Sequence, residues 1–188
     1  MSNRATRKLT LVGAACAATM APGVANAEPF DGPYIGVEAG LGKLKSEGSL
    51  LTGPFKQTDD SAVISAVAGY RLPLGDDLPV VLGAEGSAGL YTNGSDARYG
   101  VAGLGGMKIG DTALLYGKVG YAWLDGVLTG AGKGIDGLML GGGAELALTD
   151  TISARAEYRR INYGGVNFPD NTIDWTGHEF VAAVLSNF

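Results

Sequence analysis

The strongest constraint on this chain is a two-residue alternation that sets apolar side chains on one face and glycine with isolated charges on the other. Side chains at i, i+2 and i+4 share a face in extended chain, so the pattern reads as β-strand. One stretch sets Ile35, Val37, Ala39 and Leu41 against Gly36, Glu38 and Gly40. The next sets Ile64, Ala66, Ala68 and Tyr70 against Ser65, Gly69 and Arg71, and a third sets Leu82, Ala84, Ala88 and Leu90 against Gly83, Glu85, Ser87 and Gly89. Further on, Leu115, Val119, Tyr121 and Trp123 oppose Lys118 and Gly120, and Leu138, Leu140, Ala144 and Leu146 oppose Gly141, Gly143 and Glu145. Ile152, Ala154, Ala156 and Tyr158 oppose Ser153, Arg155, Glu157 and Arg159; Phe180, Ala182, Val184 and Phe188 oppose Glu179 and Asn187. The spacing predicts eight strands, at 33–43, 61–72, 80–90, 99–109, 114–124, 137–148, 152–162 and 177–188. Each is close to the roughly 9–11 residues that a tilted strand needs to cross a bilayer.

The connections alternate in length. Pro73 to Pro79, Gly110-Asp111-Thr112 and Thr149-Asp150-Thr151 are short and built from turn-forming residues. The other four, about 44–60, 91–98, 125–136 and 163–176, are longer and more polar. Short turns on one rim and long loops on the other is the signature of a transmembrane barrel with both termini on the short-turn, periplasmic side. The expectation is therefore an all-β fold: an eight-stranded antiparallel up-and-down transmembrane β-barrel.

The amino terminus supports export. Arg4, Arg7 and Lys8 precede an apolar run from Leu9 to about Ala21, and Ala25-Asn26-Ala27 follows. These are the three parts of a secretory signal peptide, with cleavage expected at the Ala25 and Ala27 site. The run is shorter than the roughly 20 residues of a spanning helix. Residues 1–27 are read as the leader and 28–188 as the barrel domain, with no further periplasmic domain expected after it. Cys16 would leave with the leader; Gly13 stands where a lipoprotein signal usually has Leu. Removal of the leader leaves 11 bases against 19 acids, a net charge of −8. That balance excludes nucleic acid as a partner, because phosphate binding needs clustered Lys and Arg.

If the apolar face meets lipid, the lumen receives Glu38, Glu85, Glu145, Glu157 and Glu179, together with Arg71, Lys108, Lys118, Arg155 and Arg159. The interior of an eight-stranded barrel is just wide enough to be filled by side chains. Five acids and five bases there are expected to pair, because losing one partner of a buried pair costs about 3–5 kcal/mol. The many glycines on the lumen face would make room for these long side chains. Arg71 and Lys108 lie near the short-turn rim, where solvation is the alternative. A narrow ion path lined by these charges is the functional alternative to a plugged lumen.

Gly69-Tyr70-Arg71-Leu72, Leu115 through Ala122 (Leu-Tyr-Gly-Lys-Val-Gly-Tyr-Ala), Gly141-Gly142-Gly143-Ala144-Glu145 and Ala156-Glu157-Tyr158-Arg159, with the terminal Phe188, resemble small outer-membrane barrels of the opacity-protein or OmpA type. The resemblance covers essentially the whole chain after the leader, in order. It implies a non-enzymatic protein of the Gram-negative outer membrane, linked to envelope integrity, adhesion or weak pore activity. It also implies that Phe188 is the signal read by the barrel-assembly machinery. Two departures stand out: Arg160 occupies a position where an aromatic is common, and the chain ends Leu-Ser-Asn-Phe without the usual Tyr-Arg. The implied partners are outer-membrane lipid and lipopolysaccharide, the assembly machinery and a surface ligand of the outer loops. The longest loop, 44–60, is the first candidate for such contact.

Other chemistries fit poorly. Hydrolysis by a Ser–His pair needs hydrogen-bond contact. The single histidine, His178, is eight residues from Ser186, over ~25 Å in a strand. Ser61 and Ser95 would approach it only through folding. Gly103-Leu104-Gly105-Gly106 and Gly141-Gly142-Gly143 lack the following helix a phosphate cradle needs. Asp59, Asp60 and Asp170 have no EF-hand spacing. Neither a cofactor nor a metal is expected. Tyr99, Tyr121, Trp123 and Tyr158 read as one interfacial girdle, and Tyr70 and Phe188 as the other; a sugar platform at Trp123 or Trp175 is the alternative.

Overall fold

The computed structural model describes residues 28–50, 53–75, 78–92, 97–125, 134–168 and 171–188. The leader and its Ala25 and Ala27 site lie outside these residues. Eight strands follow one another: β1 (Gly32–Leu50), β2 (Gly53–Pro73), β3 (Val80–Tyr91), β4 (Ala97–Ile109), β5 (Ala113–Asp125), β6 (Ile135–Ala147), β7 (Ile152–Phe168) and β8 (Asn171–Asn187). Each pairs antiparallel with the next, and β8 pairs back onto β1, closing the sheet into a barrel.

The side-chain period decides what each face meets. Val37, Leu41 and Phe180 are about two-thirds exposed, at 65, 70 and 66 %, whereas their strand neighbours Glu38 and Glu179 are buried. The apolar face is the outer wall. In water such a surface would be a large uncovered hydrophobic area; in a bilayer it is the face that lipid solvates.

Two of the expected loops are corrected. Residues 44–60 and 163–176 are mostly strand: β1 and β2 are 19 and 21 residues long, β7 and β8 are 17, and β3 to β6 only 12 or 13. The register continues without interruption from Gly32↔Arg71 to Leu50↔Gly53. Backbone pairing therefore outlasts the hydropathy pattern. Along residues 56–60 the side chains of both faces are exposed, so hydropathy does not alternate there while the ladder goes on. Cross-strand ion pairs mark this region, Lys43 with Asp60 at 3.4 Å and Lys56 with Glu47 at 2.5 Å. The Lys56 ammonium holds the Glu47 carboxyl below its usual range.

The opposite rim follows the expected turn chemistry. Gly110 takes φ +62° between β4 and β5, a left-handed conformation that glycine adopts without penalty. The Thr149 hydroxyl accepts from the Ile152 amide at 2.9 Å, closing the turn before β7. Just before β1, Phe30 also has a positive φ, of 69°, and tucks its ring under this rim, fully buried. The Phe188 amide donates to the Pro33 carbonyl at 3.1 Å, fastening the last residue to the start of β1.

At the β1–β8 seam, Gly36 and Gly40 permit closure. A Cβ at Gly40 would collide with the Phe180 carbonyl oxygen, and one at Gly36 with Leu185 and the Val184 carbonyl. Those obstacles are largely backbone, which no change of rotamer removes.

Candidate functional site

The interior is a chain of alternating charges to which all eight strands contribute. Glu38 (β1), Arg71 (β2), Glu85 (β3), Arg98 (β4), Lys118 (β5), Glu145 (β6), Arg155, Glu157 and Arg159 (β7) and Glu179 (β8) all point inward by strand parity and are at most 6 % exposed. From the short-turn end, Arg71 Nη1 donates to Glu145 at 2.9 Å, and Arg155 Nε donates to the other oxygen of Glu145 at 3.0 Å. Arg155 also bonds Glu85, which accepts from Lys118 Nζ at 2.6 Å. Lys118 reaches Glu157 at 2.9 Å, Glu157 bonds Arg159, and Arg159 Nη1 donates to Glu38 at 2.7 Å. Arg98 closes the outer end, 3.2 Å from Glu179 and 3.7 Å from Glu38.

Each of the five carboxylates thus meets two cations. Hydroxyls take up further lone pairs: Tyr34 donates to Glu85 at 2.8 Å, Ser153 to Glu145 at 2.6 Å, Tyr116 to Glu157 and Tyr91 to Glu179. Close pairing geometry and surplus hydrogen bonds of this kind are what offset the burial of ions. Arg71 instead lays its guanidinium over the Tyr34 ring, 4.0 Å from the centroid. That contact faces a cation with a ring quadrupole, while Arg71 Nε and Nη2 have no hydrogen-bond partner among the described residues.

Apolar clusters flank the charges. Phe30, Val81, Leu104, Leu114 and Tyr116 pack at the short-turn end. Ala122, Leu124, Ile135, Met139, Ile161 and Tyr163 pack at the outer end, with Leu44, Tyr91 and Trp175 against them.

The structure places nine of the ten expected lumen charges in this chain. Lys108 is the correction: it is half-buried at the short-turn rim, beside Glu28, Asp31 and Asp111. Arg98 takes its place as the fifth base, keeping the interior at five acids and five bases. It was missed because residues 91–98 read as loop, although Arg98 shares parity with Gly100 and Ala102, a signal that extending the alternation by one step would have found. Arg71, for which solvation at the rim was the alternative, is 1 % exposed beneath Phe30. The tyrosines that bond the carboxylates were also legible only by parity.

The remaining candidates scatter. His178 faces outward, its Nδ1 2.7 Å from the Tyr158 hydroxyl, and Ser186 lies far along β8 opposite Ile152. Ser61 pairs with Gly42 on β1, and Ser95 lies outside the described residues. Asp59 and Asp60 sit on β2, and Asp170 is outside the described residues. Trp123 faces outward edge-on to Tyr121, ring centroids 5.2 Å apart, whereas Trp175 faces the outer mouth.

An apolar outer wall around a charged interior defines a transmembrane β-barrel. The chain belongs to the outer membrane protein β-barrel domain family, whose model matches residues 9–188. That membership places it in the outer membrane. Among solved structures, Neisserial surface protein A is similar in fold, with a TM-score of 0.52 and 17 % identity over 84 % of this chain and 98 % of that one. The outer membrane protein OprG from Pseudomonas aeruginosa gives a TM-score of 0.48 at 11 % identity, covering 87 % of this chain and 99 % of its own. No curated protein matches by sequence.

Proposed function

We propose that this protein is a non-enzymatic, non-conducting barrel that acts through its outward extension, in envelope integrity or surface adhesion. One observation carries the reading: a neutral chain of five carboxylates and five cations lies buried between two apolar clusters, so the interior offers fixed charges already partnered and no mobile ion site. What remains for contact is the sheet of β1, β2, β7 and β8 beyond the apolar wall, where a surface ligand would meet the hairpin of residues 44–60. Binding residues commonly sit on such projections from a rigid scaffold. The same reading takes residues 1–27 as a cleaved leader and Phe188 as the contact for the barrel-assembly machinery.

Conductance in a planar bilayer tests it. The refolded protein is expected to leave the membrane silent, and Glu145→Gln, which weakens the bonds to Arg71 and Arg155, is expected to stay silent too. Discrete steps whose size Glu145→Gln alters would establish a low-conductance pore instead. For the extension, exchanging residues 44–60 for a short turn is expected to abolish binding of whole cells to a host or abiotic surface while the barrel still folds; unchanged binding would remove this hairpin from the function.

A further inference from the structure

Arg160 is the one arginine of β7 that the interior does not use, and it belongs to a pattern of its own. Among the described residues, the bases whose side chains face out of the strands are Lys43, Lys45, Lys56 and Arg160, all on the outer parts of β1, β2 and β7. Lys56 is engaged by Glu47. The other three surround His178. The register sets Lys43 beside His178 and His178 beside Arg160, and Lys45 and Arg160 both act electrostatically on the imidazole. Three neighbouring strands hold the row, a width of about 10 Å at the usual strand spacing.

Its level on the wall is informative. One step toward the membrane centre, the outward residues are Leu41, Phe180 and Tyr158; one step away they are Lys45, Thr176 and Asn162. The row therefore lies where the wall changes from apolar to polar, the level that lipid headgroups occupy. Asp60, 3.4 Å from Lys43, is the acid within the row, against three cations. Asn162 Oδ1 accepts from Arg160 Nε at 3.2 Å and orients the guanidinium. The Tyr158 hydroxyl and His178 Nδ1 are hydrogen-bonded at 2.7 Å, and in the tautomer whose Nδ1 accepts this bond the ring proton is on Nε2 as a further donor. A planar guanidinium flanked by ammonium groups and a ring donor suits a tetrahedral oxyanion.

We propose that Lys43, Lys45, Arg160 and His178 bind the phosphate of an anionic glycolipid headgroup in the surrounding leaflet. The proposal rests on the long-strand end of the barrel facing outward, the same orientation the proposed function uses. The test is the unfolding midpoint of the barrel in phosphatidylcholine vesicles, with and without added lipopolysaccharide. Lipopolysaccharide is expected to raise the midpoint of the wild type. The double variant K43Q/R160Q should lose at least half of that rise while matching the wild type in phosphatidylcholine alone. Dephosphorylated lipopolysaccharide should give no rise. A double variant that keeps the full rise overturns the site, and an equal rise with inorganic phosphate alone overturns the lipid as its source. Orientation is read separately, by labelling Lys56→Cys on intact cells with a membrane-impermeant maleimide. Labelling supports the placement and protection overturns it. Conductance enters none of these readouts, so a conducting barrel would sink the plugged-lumen reading and leave this one standing.

Discussion

Arg159→Leu is expected to destabilise the folded barrel by about 3–5 kcal/mol, the range seen when one partner of a buried ion pair is removed. Arg159 is 1 % exposed, donates to Glu38 at 2.7 Å, bonds Glu157 and lies 3.7 Å from Glu179. Without it, Glu38 and Glu179 share Arg98 alone, at 3.7 and 3.2 Å, and the interior holds an uncompensated negative charge. Urea titration in vesicles, followed by the fluorescence of Trp123 and Trp175, measures the change. Arg159→Lys should fall between the two, because an ammonium keeps the charge but cannot bridge Glu38 and Glu157 with a planar fork. Arg160→Leu, one residue on but outward, is the control and should shift stability by no more than about 0.5 kcal/mol in plain phosphatidylcholine. A loss below about 1 kcal/mol for Arg159→Leu would mean that the pair behaves as an exposed one and that the interior is wet.

Gly40→Val should prevent closure of the barrel altogether. The new side chain would enter the seam where β1 pairs with β8, against the Phe180 carbonyl and the Val181 backbone. Overpacking that meets only side chains costs about 1–3 kcal/mol; here the obstacle is the backbone that must hydrogen-bond for the sheet to close. Gel mobility before and after boiling reports the outcome, since a closed barrel migrates compactly until it is boiled. The variant is expected to run as unfolded chain in both lanes. Gly117→Ala, at an outward position with open space around it, should retain the compact form. A compact Gly40→Val band as strong as the wild type would show that the seam has room the structure denies it.

The hairpin-forming ends were written locally. Gly110 and the Thr149-Asp150-Thr151 turn announce themselves in sequence because a turn is satisfied by its own few residues, through a permitted positive φ or a side-chain bond to the next amide. The two-faced alternation of Ile35–Leu41 or Ile152–Arg159 is equally local: a residue's face depends only on parity, so nine lumen charges were legible from spacing alone. Where both faces meet water, as along residues 56–60, parity carries no hydropathy signal, and the strand there looks like loop. Lys108 and Arg98 show the same limit at strand ends. Parity places both inward, but depth along the barrel decides which is buried.

The sequence by itself determined that eight alternating strands would form, and that one face would be apolar and the other charged, because these follow from a two-residue repeat and neighbouring side chains. Only the tertiary structure decided which acid would pair with which base. Arg159 reaches Glu38 across 121 positions of sequence and Arg71 reaches Glu145 across 74. Those contacts exist only once β8 has closed onto β1 and the strand register has set the height of each side chain in a shared interior.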